Sequence, residues 1–215
     1  VQRLRVRFSR GEELKYISHL DLMRLWERAL RRARLPLAYS EGYNPQPRLS
    51  LAAPLALGVT SEAELMDVYF SRWVSPHLFL KAVKPQLPRG LEVLEALIIA
   101  PTLPSLQSQV RFAVYRVGVA KETTAEAVEE AISHLLATPE LPWQHSRDTG
   151  IRRYDLRSLI DDLWLIQWEG DKGVLGMRLR WDSQGAGRPE QVAAALGFAP
   201  PSFIHRSRLI LGSGR

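Results

Sequence analysis

His19 is preceded by Lys15, Tyr16 and Ser18 and followed by Leu20-Asp21-Leu22. An imidazole with an ammonium, a phenol and a hydroxyl close by is a set able to move protons, and metal-independent RNA cleavage needs only a placed acid and base. His19 is therefore the candidate catalytic residue, and an endoribonuclease working without metal is one reading. Its bland counterpart is a histidine that merely opens a helix. A second group does different chemistry. Arg24, Arg28, Arg31 and Arg32 follow at near-helical spacing, and Arg3, Arg5 and Arg7 alternate near the N-terminus. The planar guanidinium fork pairs with phosphate oxygens and stacks on bases, so both rows are candidate nucleic-acid or partner contacts. The third group is Gly42-Tyr43-Asn44-Pro45-Gln46-Pro47-Arg48. Two prolines fix its path, and Tyr43, Asn44 and Arg48 offer a ring, an amide and a cation for a ligand.

Local pattern supplies the elements that must hold these groups. Leu4, Val6 and Phe8 alternate with the three arginines, which predicts a half-buried strand presenting a guanidinium row on its outer face. Ser18 and Asp21 form a capping box. The helix it opens is expected over about 19–34, with Leu22, Trp26, Ala29 and Ala33 on one stripe and the arginines away from it. Leu35-Pro36 ends it. Then come a short strand at Pro36–Ser40, the rigid loop, an extended Arg48–Leu55 and a strand at Glu62–Phe70. Ser75-Pro76 caps a helix to about Lys84, and Leu91–Ala100 is a strand.

The order then recurs. Phe112–Ala120 reads as a strand, and Thr123 with Glu126 caps a helix to about Ala137. Ile151–Glu169 and Val174–Trp181 are strands joined by a turn at Gly170-Asp171-Lys172-Gly173, Arg188-Pro189 opens a short helix, and Phe203–Leu211 is the last strand. The expected fold is α+β, two tandem ferredoxin-like βαββαβ units with antiparallel sheets, at 1–100 and 109–215, joined by a linker at 101–108.

Composition narrows the chemistry. The 215 residues carry a net charge of +6, and residues 1–50 alone hold eleven Lys/Arg against five Asp/Glu. That excess favours an anionic partner such as RNA. Zero cysteines excludes disulfides, thiolate metal ligands and cysteine-held iron–sulfur clusters within this chain. His77, His134, His145 and His205 lack ligand spacing, and no P-loop or dinucleotide fingerprint occurs, so no metal and no cofactor are expected. Asp161-Asp162 reads as a turn, and Gly212-Ser213-Gly214 as a tail. No stretch is long and apolar enough for a membrane span, and the first ten residues have no apolar signal core, so a cytoplasmic location is expected.

Four blocks, Ser18–Arg24, Glu27–Pro36, Ser40–Ser50 and Pro54–Gly58, resemble the hallmark of the bacterial radical-SAM-linked (radical SAM-associated) proteins, a domain of unknown function. The hallmark is SHLDL-x-R, ERA-x-RRA-x-LP, S-x-G-[FY]-NP-x-P-[KR]-x-S and PL-x-x-G. Many members have His where Gln46 stands. The resemblance implies a domain found alone or fused behind a radical-SAM enzyme. The chain itself holds no cysteine for the cluster of that chemistry, so the implied role is to bind RNA, a tRNA or rRNA, or to present substrate. A third reading is a protein-interaction domain whose arginine face docks on a radical-SAM module.

Overall fold

The computed structural model describes residues 1–147, 150–183 and 185–212; of the expected tail, 213 and 214 lie outside the described residues. The chain divides into two compact units, Val1–Val110 with the C-terminal residues from Leu211, and Arg111–Ile210.

In the first unit β1 (Gln2–Arg10) is followed by α1 (His19–Arg32), β2 (Leu49–Leu51), β3 (Thr60–Phe70), α2 (Pro76–Val83), β4 (Leu91–Ile99) and α3 (Leu106–Gln109). Its sheet runs β4-β1-β3-β2 with every neighbour antiparallel. Leu4, Val6 and Phe8 share a face with Val68 and Met66 of β3, and all five are buried. The helices close over this face. Trp26 of α1 meets Phe8 edge to face at 5.0 Å, and Phe79 of α2 meets Phe70 at 6.1 Å.

Several expectations shift. Pro36–Ser40 is no regular strand; Leu37 and Tyr39 make single bridges to Phe70 and Pro47, because the prolines at 36, 45 and 47 leave too few amides for a ladder. The segment expected as a linker, 101–108, runs into α3 and seats Leu106 fully in the interior.

The second unit holds β5 (Val110–Ala120), α4 (Ala125–Ala137), β6 (Pro142–Arg147), β7 (Gly150–Asp155), β8 (Ile160–Glu169), β9 (Lys172–Asp182), β10 (Gly185–Ala186), α5 (Pro189–Ala195) and β11 (Phe203–Leu211). Its sheet runs β8-β9-β5-β11, with β10 on the end of β9. The cap of α4 is Thr124, one residue beyond the expected Thr123. The strand expected over 151–169 is broken. Asp155 turns its carboxylate back onto the amides of Leu141, Arg157 and Ser158, an Asx turn that ends β7 before β8 begins. No helix among the described residues is long and apolar enough to cross a membrane.

Candidate nucleic-acid interface

α1 positions the first cluster. Ser18 Oγ accepts from the Asp21 amide at 3.1 Å and donates to the Asp21 carboxylate at 2.7 Å, which fixes the first turn. Leu22, Trp26, Ala29 and Leu30 then face the core, which leaves Arg24, Arg28, Arg31 and Arg32 exposed on the other side. Arg24, Arg28 and Arg31 stand at i, i+4 and i+7, about 10 Å end to end. Arg24 lies 3.6 Å from Asp21, both well exposed, a pairing that water screens. Arg28 and Arg31 have no carboxylate within ion-pair distance among the described residues. Arg32 donates to the Gln86 carbonyl. Arg34, outside the expected set, adds a further exposed guanidinium just past the helix at φ 53°.

The strand row does something else. Arg3 is 1% exposed and Asp67 fully buried, and Arg3 grips that carboxylate through Nε at 2.9 Å and Nη2 at 2.5 Å. Arg5 binds the same carboxylate from its other side, at 2.9 and 3.1 Å. Arg3 also donates to the carbonyls of Leu103 and Pro104, and Arg5 to Gln109. The pair thus pins the 103–109 segment to the sheet. Presentation of all three guanidiniums to a ligand is corrected: of this row Arg7 alone is well exposed, 3.5 Å from Glu95. The row also lies on the sheet face opposite α1, opposite Tyr69, Asp67 and Leu65 of β3, so the two arginine clusters form no single patch.

The loop is built as a closed stem with an open tip. The Ser40 amide donates to the Gln46 carbonyl at 2.9 Å, and the Gln46 amide donates back to Ser40 Oγ at 3.0 Å. Below this, the Arg48 amide donates to Ala38, and that of Ala38 to Tyr69. The tip turns at Gly42, whose φ of 124° suits glycine alone, and leaves Tyr43 fully in solvent and Asn44 exposed. Arg48 is held over the Tyr69 ring at 4.6 Å, with Arg3 at 5.5 Å from the same ring.

Around His19 the expected proton-moving set is already engaged. Lys15 Nζ lies 2.7 Å from Glu12, whose hydrogen bond holds the ammonium above the usual lysine range. Ser18 serves as the helix cap. Tyr16 stands exposed with Lys15 over its ring at 5.3 Å. The His19 side chain makes no hydrogen bond or ion pair among the described residues.

Arg10 organises this corner, a role absent from the sequence reading. Its buried guanidinium donates to the carbonyls of Ala56 at 2.9 Å and Val59 at 3.0 Å, with Lys15 and Ile17 at 3.5 Å. The Gly58 amide donates to Lys15, so the 54–58 block and the turn before α1 are tied together. Strand parity was the available signal: Arg10 continues the phase of Leu4, Val6 and Phe8 and so points inward. Asp161 and Asp162, read as a turn, instead hold Arg178 of β9.

Residues 3–189, which include α1, the loop and most of the second unit, match a family described as an uncharacterized protein conserved in bacteria, DUF2344. The chain belongs to DUF2344. No curated protein shows significant similarity to this DUF2344 chain. Among solved structures, a chain of a Cbf5-Nop10-Gar1 complex is similar at 9% identity with a TM-score of 0.54, covering 96% of this chain and 48% of that one. A chain of the archaeal box H/ACA sRNP Nop10-Cbf5 complex is similar at 8% identity with a TM-score of 0.50, covering 96% and 48%. The chain spans about half the length of these solved chains, and at such identity the likeness shows a shared fold alone.

The DUF2344 match runs through both basic regions. In the first unit the guanidinium stripe lies on α1, the loop carries Tyr43 and Asn44 at an exposed tip, and Arg48 sits over Tyr69 on the sheet face opposite α1, so Arg48 does not join the stripe. The fold takes Arg3 and Arg5 out of the candidate contacts and into a buried ion cluster.

Proposed function

We propose that this DUF2344 chain is a cytoplasmic RNA-binding domain, non-catalytic by itself, that presents a tRNA or rRNA to a radical-SAM enzyme. The observation that carries the RNA half is the stripe of Arg24, Arg28 and Arg31: exposed, aligned, and with no carboxylate beyond the weakly placed Asp21. Such a surface suits a row of phosphates. One of the similar solved chains comes from a box H/ACA sRNP, a ribonucleoprotein, which agrees with an RNA partner. The radical-SAM partner rests on the four sequence blocks. The strand order β4-β1-β3-β2, with β8-β9-β5-β11 in the second unit, supports reading each unit as ferredoxin-like. Engagement of Lys15 by Glu12 and of Ser18 as a cap favours binding over cleavage by His19.

The experiment is a gel shift with total tRNA, comparing the parent chain with a triple Arg24→Gln, Arg28→Gln, Arg31→Gln variant. Retention of tRNA by the parent and its loss by the variant is the expected result. Equal binding by both removes α1 as the interface, and nuclease-resistant capture of a radical-SAM protein without any tRNA binding replaces RNA by a protein partner.

A further inference from the structure

The sheet of the second unit has two unlike faces. Tyr115 and Val117 of β5, Leu163 of β8 and Leu175 and Met177 of β9 share one register and are buried. On the opposite face Arg116 of β5, Gly176 of β9 and Trp164 of β8 lie side by side across three strands. Any Cβ at Gly176 would run into the Trp164 indole, so the ring rests directly on the glycine. Gly118 repeats the device two residues along β5: a Cβ there would meet the Phe203 ring. Gly118 pairs with Val174, which makes it the diagonal neighbour of Gly176, roughly 7–8 Å away.

Both rings keep a face in water, Trp164 at 37% exposure and Phe203 at 44%. Beside Phe203 a cleft of about 380 Å³ is lined by Gly118, Val174, Phe203, Gln167, Glu169 and Lys172 among others. Apolar atoms make up most of its lining, Lys172 and Glu169 add one charge of each sign, and Gln167 brings an amide that both donates and accepts, as the edge of a base does. Arg116 is exposed and has no carboxylate within ion-pair distance among the described residues, whereas Arg178, next along the same face, is held by Asp161 and Asp162. Exposed rings stacked on glycines, a cleft beside one of them with room for a base, and an unneutralised guanidinium on the same face match what unpaired bases on a phosphate chain require.

We infer that this sheet face binds single-stranded RNA, with bases on Trp164 and Phe203 and a phosphate on Arg116. The inference rests on the RNA reading above and adds a second contact region, one that discriminates strandedness where the α1 stripe reads only charge.

The test uses the whole chain and fluorescence anisotropy with a labelled single-stranded 12-mer RNA and the corresponding duplex. Trp164→Leu and Phe203→Leu keep an apolar cover on each glycine but remove the ring. Each is expected to weaken single-strand binding about tenfold, the effect of losing one base stack. Because neither carries charge, the salt slope stays unchanged, and duplex binding stays as in the parent. In the unaltered chain the single strand quenches tryptophan emission, and Trp164→Phe removes that part of the signal while keeping most of the affinity. Leucine variants that bind the single strand as tightly as the parent, or emission that RNA does not alter, overturn the inference and leave RNA binding at α1 standing. A parent chain that binds neither RNA overturns both.

Discussion

Asp67 shows how much one residue decides. Fully buried, it pairs with two guanidiniums at once, and through Arg3 it holds the carbonyls of Leu103 and Pro104 against the sheet. Removing one partner of a buried ion cluster leaves charge with no solvent to screen it. Asp67→Ala is therefore expected to cost about 3–5 kcal/mol in urea unfolding. Replacing Arg3, Arg5 and Asp67 together by apolar residues of similar volume should recover most of that loss, and a triple variant as unstable as the single one would contradict the account. None of this was legible locally. The alternation at Arg3, Arg5 and Arg7 correctly gave a strand, but the carboxylate that turns two of them inward is more than 60 residues away. Arg24, Arg28 and Arg31 fared better, since a helix face is set by residues within a turn or two of each other.

At the scale of elements, caps are the features that spacing reads best. Ser18 does cap α1, so Ser18→Ala should lower stability by about 1 kcal/mol. A thermal melt unchanged by that substitution would contradict the role. The cap of α4 adds a dependence on pH. The backbone amide of Glu126 and the Thr124 hydroxyl donate to the Glu126 carboxylate and hold it below the usual glutamate range. The folded value is thus lower than the unfolded one. Its stabilising contribution is present above the ordinary glutamate range and is lost as pH falls through the lowered value. Carboxyl NMR should find Glu126 titrating below the other exposed glutamates, and Thr124→Val should move it back up. A Glu126 that titrates with the rest would refute this. Spacing misplaced that cap by one residue because Thr123 and Thr124 are adjacent and either can serve. It missed the β6–β7 hairpin because the break at Asp155 is made by one side chain bending onto three amides.

At the scale of the whole chain, the charge excess of residues 1–50 divides by destination. Arg3, Arg5 and Arg10 are structural, gripping a buried carboxylate or a ring of carbonyls. The exposed remainder centres on α1 and its C-terminal end. Net charge alone therefore overstates the interface, and the number of guanidiniums that meet phosphate is the quantity to measure. The direct measurement is the dependence of log K on log salt for a single-stranded RNA, which counts released counterions at about 0.7 per phosphate. A steep slope for the parent is predicted, reduced by about 2 in the triple Arg24→Gln, Arg28→Gln, Arg31→Gln variant. A variant slope equal to the parent's would contradict an RNA interface on α1.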